Sequence, residues 1–180
     1  MSLLRDFSPE KCREIWKNGE IAAAGEFQPE VRKFGPPEEE VMAFLCREAK
    51  GVYIEADGSR CLPLKYPSPW EPVIRSETTH VIVLAGLSAL GRKPEEVFHR
   101  LALAREHMDI PEETVTEELM ARVLWAGYGK YDPIFFLNQA DTPELRARGE
   151  AIAALLLRQG AKRAVTGSLR GMLGEDNNGE

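Results

Sequence analysis

Two carboxylates, Glu55 and Asp57, open the segment Glu55-Ala56-Asp57-Gly58-Ser59-Arg60, directly after the β-branched and aromatic run Val52-Tyr53-Ile54. A strand would fix such carboxylates, and the glycine would let the chain turn closely around an ion. A few fixed oxygens completed by water are what Mg²⁺ takes. The same residues also make an ordinary strand-end turn, because Asp and Gly suit turn backbones. Sequence alone leaves both open. The stretch that follows, Cys61 to Pro72, is the most proline-dense in the chain. Its stiff backbone could hold Lys65 and Glu71 over a site, or simply cross the edge of a sheet.

Two further segments imitate nucleotide-binding loops. Gly86-Leu87-Ser88-Ala89-Leu90-Gly91-Arg92-Lys93 follows an apolar run and precedes a helix start. A working phosphate loop has Lys directly after its second glycine and then a hydroxyl for Mg²⁺. Here Arg92 and Lys93 occupy those positions and Pro94 removes a donor, so this loop is read as an imitation. Asn138-Gln139-Ala140-Asp141 has the spacing of a guanine-binding NKxD loop, with Gln139 in the Lys position. Asn138 and Asp141 are therefore candidates for contacting a nucleotide base. Asp141-Thr142-Pro143-Glu144 is equally a good helix start. The catalytic residues stay unassigned: no HExxH or GxSxG pattern occurs, no His or Cys stands at metal-ligand spacing from another, and a triad assembled in space leaves no sequence pattern.

The elements that would position these residues alternate in type. Helices are expected from Ser8-Pro9 to Asn18-Gly19, from Glu38 to Lys50, from Pro94 through Leu103, after Thr116, and from Thr142-Pro143 to Gly160. Strands are expected at Ile21–Gly25, Val52–Ile54, His80–Ala85, Ile134–Leu137 and Arg163–Thr166, with His80–Ala85 apolar enough for burial on both faces. This alternation predicts an α/β fold with a mostly parallel sheet of about five strands flanked by helices. Ligands in such sheets sit at the carboxyl ends of the strands. One domain over residues 1–172 is expected, followed by a disordered tail over 173–180.

Bulk properties narrow the function classes. The chain has 180 residues, 43% of them apolar, and 23 basic residues against 29 acidic ones give a net charge of −6. No basic stripe supports nucleic-acid binding. Three unpaired-looking cysteines argue against a disulfide framework and for a reducing cytoplasm. No run approaches the roughly eighteen apolar residues of a membrane span.

The runs VYIEADGSRCLPLKYPSPWEPVI, HVIVLAGLSALGRKPEEVFHR, FFLNQADTPELR and VTGSLRG together resemble the YqeC family of selenium-dependent hydroxylase accessory proteins, over about Lys11 to Gly171. The resemblance implies a P-loop NTPase-like fold and a role in maturing selenium-dependent molybdenum hydroxylases, with such a hydroxylase or its maturation machinery as partner. It also implies Mg²⁺ and a purine nucleotide as cofactors. The family's acidic motif falls on Glu55 and Asp57 as metal ligands, and its base loop on Asn138 and Asp141. Charge and position add Arg60 and Lys65 for phosphates or a substrate anion. The family's glycine-rich P-loop and its strand precede the part matched here and are not found in this sequence, so whether the chain is an enzyme stays open. The alternative is a non-catalytic module that binds the hydroxylase or a partner chain. A homodimer, the choice of ATP or GTP, and the reaction also stay open.

Overall fold

The computed structural model describes residues 2–4, 7–28, 33–111 and 113–172. The expected tail over 173–180 lies outside them. Where the sequence suggested one domain, the chain divides into two compact units, Met1–Ile54 and Glu55–Glu180.

The first unit is small. Strand β1 (Ser2–Leu4) is followed by helix α1 (Pro9–Lys17), whose cap Ser8 accepts from the Lys11 N–H while Pro9 occupies the first turn. Pro tolerates that position because its missing donor would find no helical partner there. Strand β2 (Ala22–Ala24) runs parallel to β1, and β3 (Glu26–Gln28) pairs antiparallel with β4 (Lys33–Gly35). Helix α2 (Glu39–Glu48) follows, with acidic residues in its first turn as the helix dipole favours. Leu4, Cys12 and Phe44 form the core. Trp16 stacks on Phe44 with ring centroids 6.0 Å apart.

The second unit carries the main sheet. Strand β5 (Leu64–Lys65) precedes β6 (Ile82–Gly86), a 3₁₀ turn over Leu87–Ala89 and the single-turn helix α3 (Pro94–Val97). The two-residue strand β7 (Phe98–His99) pairs parallel with β5, setting Lys65 opposite His99. Helices α4 (Leu101–His107) and α5 (Glu117–Tyr128) follow, then β8 (Ile134–Asn138), α6 (Pro143–Gln159), β9 (Arg163–Thr166) and α7 (Leu169–Met172). The sheet order is β6-β8-β9, all parallel, with Val83 opposite Phe135 and Phe135 opposite Ala164. Val83, Ala85, Phe135 and Leu137 point into a core closed by Met120 and Leu124 of α5 and by Ile152 and Leu156 of α6.

The α/β character and the parallel pairing with flanking helices match expectation. Four features differ. The parallel strands are split between small sheets rather than gathered into one of about five. The apolar run Val52–Ile54 is irregular and exposed, with Tyr53 at 91%. Strand β6 is buried on one face only: Val83 and Ala85 point inward, whereas Ile82 and Leu84 are exposed. The helix expected from Pro94 through Leu103 also breaks: α3 ends at Val97, Phe98 and His99 extend into β7, and Arg100 turns left-handed at a φ of 64° before α4 begins.

Candidate functional site

The loop that leaves residue 55 turns its two acids to different environments. Glu55 is exposed, and its carboxylate lies over Gly58. Asp57 turns inward, where its side chain retains 9% of its exposure. Lys65 enters from β5, a two-residue strand buried at both positions, and its side chain retains 6%. Burying a lone ammonium is costly, so its three protons must find acceptors. They do: Lys65 Nζ donates to Asp57 Oδ1, to the Gly58 carbonyl at 2.8 Å and to Glu71 Oε2 at 2.8 Å.

Each carboxylate has a second donor. Tyr128 of α5 donates its hydroxyl to Asp57 Oδ2 at 3.0 Å. Arg100 Nη2 donates to Glu71 Oε1 at 2.8 Å, and the Ser68 N–H reaches Glu71 Oε2 at 3.4 Å. Lys65 and Arg100 thus balance Asp57 and Glu71 in a closed network. Burial alone would raise the Glu71 carboxyl, but hydrogen bonds from Lys65 and Ser68 outweigh it and bring it down to about 2. Burial, followed by the Glu71 charge, pushes the Tyr128 phenol well up. His99, across from Lys65, is held below its ordinary value by burial and then by the charges of Lys65, Arg100 and Arg60.

This geometry revises the roles of three residues singled out by sequence. Each oxygen of Asp57 already takes a donor, and an ammonium occupies the place between Asp57 and Glu71 that a cation would need. Among the described residues no group of three or more His, Cys, Asp or Glu side chains is arranged to hold a metal ion. The Glu55 and Asp57 pair does not fit Mg²⁺ in this arrangement. Lys65 has no donor left for a phosphate. Arg60 is exposed at a left-handed φ of 54°. It remains available to an anion. Sequence reasoning missed Arg100 and Tyr128, which join from 29 and 71 residues away. The adjacent pair His99-Arg100 was the one available signal, and it read as the middle of a helix.

A second locus sits at the carboxyl ends of β6 and β8. A cleft of about 260 Å³ is lined there by Ser59, Cys61, Pro63, Gly86, Ser88, Asn138 and Gln139, among others. Gly86 is required by close approach: a Cβ there would lie 2.5 Å from Gln139 Oε1 and 2.8 Å from Pro63 Cβ. Gln139, at a φ of 70°, accepts the Ser88 N–H at 3.1 Å. Asn138 accepts the Leu169 N–H at 3.0 Å, and Asp141 accepts the Ser168 hydroxyl. The NKxD-like residues therefore tie β8 to the loop after β9, and Thr142 caps α6 by accepting from the Leu145 N–H. In the Gly86–Lys93 loop, the N–H groups of Leu90, Gly91 and Arg92 are bonded to backbone carbonyls. They present no phosphate nest.

The fold is a mixed α/β one, with small parallel sheets flanked by helices and a cleft at the strand ends. A family model described as YqeC protein matches residues 3–102, and the chain belongs to that family. No curated protein and no solved structure matches it. Among the described residues, no helix is long and apolar enough to cross a membrane.

Proposed function

We propose that this chain is an accessory factor in the maturation of selenium-dependent molybdenum hydroxylases, working through the cleft at the carboxyl ends of β6 and β8. Membership of the YqeC family supports the role. The observation that carries the assignment to the cleft is its position. Open parallel sheets take ligands outside their carboxyl ends, and here Gly86 lets Gln139 and Pro63 close in on the strand end while Asn138 and Gln139 border the cleft with amides. Among the described residues, no cationic side chain lines the cleft. It suits a neutral polar ligand group better than a triphosphate, and a purine base bound near Asn138 and Asp141 would have to displace the Leu169 and Ser168 contacts. Magnesium is given no part, because the acids present do not fit it.

A second reading, a non-catalytic module that binds the hydroxylase or a partner chain, draws on the exposed apolar side chains Ile82, Leu84 and Val165 of the sheet. One experiment separates the two. Selenium content is measured in the molybdenum hydroxylase of cells lacking the gene, then in cells complemented with wild type, Ser88→Trp or Ile82→Lys. We expect loss on deletion, no rescue by the correctly folded Ser88→Trp variant, which fills the cleft from an exposed position, and rescue by Ile82→Lys, which lies on the exposed sheet face outside the cleft lining. Unchanged selenium on deletion would refute the maturation role. Failure of Ile82→Lys alone would move the function to the sheet face.

A further inference from the structure

We infer that the buried ion network is the clamp of one wall of the cleft, and that Asp57 and Tyr128 are positioning residues for the ligand the cleft takes. The role presupposes that the cleft is the working site, as proposed above. The wall is the segment 59–63, from which Ser59, Cys61, Leu62 and Pro63 line the cleft. Asp57 and Gly58 lead into this segment and Lys65 follows it, so the wall is a loop with the network at its neck. Lys65 Nζ closes the neck, donating to Asp57 Oδ1 and, at 2.8 Å, to the Gly58 carbonyl. The Tyr128 hydroxyl ties the same neck to α5 through Asp57 Oδ2 at 3.0 Å. On the exit side, the Gly86 N–H donates to the Pro63 carbonyl at 2.8 Å.

The tip of the loop needs such a hold. The Leu62 N–H donates to the Ser59 carbonyl at 3.1 Å, closing a four-residue turn. Its two central residues, Arg60 and Cys61, have left-handed φ values of 54° and 62°. Turns with that hand at both central positions are ordinarily built from Gly, Asn or Asp, whose backbones tolerate it. Other residues persist there only when the surrounding structure over-determines them. Among the described residues, the side chains of Ser59, Arg60 and Cys61 make no hydrogen bond or ion pair that could supply this constraint. It comes from the neck. Loosening the neck should therefore release the wall and change the shape of the cleft, while the sheet and its core stay as they are.

The test is amide hydrogen exchange of the full chain, read by NMR at Leu62 and Gly86, whose bonds hold the wall, and at Phe135 in the central strand. Tyr128→Phe removes the hydroxyl and keeps the ring. We expect it to speed exchange at Leu62 and Gly86 about tenfold or more, the loss of one hydrogen bond to a charged group. Ile152→Val, a change in the core away from the network, should speed exchange at Phe135 and leave Leu62 as in wild type. Cys61→Gly relieves the left-handed turn and should restore part of the Leu62 protection lost in Tyr128→Phe. Unchanged exchange at Leu62 and Gly86 in Tyr128→Phe overturns the clamp. An equal response of Leu62 to Ile152→Val also overturns it, because the wall would then open only when the whole unit unfolds. The link to function is read separately, from the selenium content of the hydroxylase in cells complemented with Tyr128→Phe, where we expect partial rescue. Full rescue by a variant with a loosened wall overturns the positioning role. Unchanged selenium on deletion of the gene refutes the maturation role alone and leaves the exchange result standing.

Discussion

Lys65 is the residue on which the second unit's polar interior depends. Its ammonium satisfies two carboxylates and one carbonyl, all inside the protein. Removing it leaves Asp57 and Glu71 buried beside each other with too little positive charge. Breaking a buried pair from one side costs about 3–5 kcal/mol, so Lys65→Met should lower unfolding stability by that order in a urea titration. The pH dependence follows from Glu71. Its folded pKa of about 2 lies below the ordinary 4.5, so its contribution is fully present above 4.5 and is lost as pH falls toward 2. Denaturation midpoints should fall steeply across that window, and Glu71→Gln should flatten the slope there while lowering stability at neutral pH. Sequence made Asp57, Lys65 and Glu71 visible as polar residues near a strand end. It could not reveal that they face inward, because desolvation and the partners Arg100 and Tyr128 are products of the fold and leave no local pattern.

Elements were legible where punctuation marks both ends. Helix α6 begins at Thr142-Pro143 and stops at Gly160, whose φ of 114° is open to glycine and closed to most other residues. Its middle holds a different constraint. Gly149 faces β9, where a Cβ would stand 2.5 Å from Thr166 Cγ2 and 3.0 Å from Leu87 Cδ1. Alanine would gain about 1 kcal/mol of helix propensity over glycine, against an overpacking cost of about 1–3 kcal/mol. The β-branched Thr166 gives way poorly, so Gly149→Ala should destabilise the protein by about 1 kcal/mol in thermal or chemical unfolding. An increase in stability would mean that α6 can shift outward. The element from Pro94 was illegible for the opposite reason. Its apolar spacing is helical, but Phe98 and His99 extend to pair with β5 and Arg100 then turns left-handed, and spacing does not record a long-range pairing. Val52–Ile54 shows a related limit: strand propensity is only a fit to a pleated, half-buried surface, and in the described structure no neighbouring strand provides one.

At the scale of the whole second unit, the sheet is asymmetric. A parallel sheet normally buries both faces, and the uninterrupted apolar run of β6 led the sequence reading to that expectation. Here α5 and α6 cover one face, where Phe135 is fully buried, while Leu84 on the other is 60% exposed. Burial therefore contributes unequally across a single sheet, and paired substitutions measure the difference. Phe135→Ala removes a buried aromatic ring and should cost about 3–5 kcal/mol. Leu84→Lys removes little burial and keeps a long aliphatic stem against the strand, so its cost should stay within about 0.5 kcal/mol, as for an ordinary surface change. A hydrophobic-surface dye should also bind the Leu84→Lys protein less than wild type, because the substitution interrupts the patch formed with Ile82 and Val165. Equal destabilisation by the two substitutions in matched urea titrations would show that the open face is covered in solution. The protein's stability would then depend on whatever covers it.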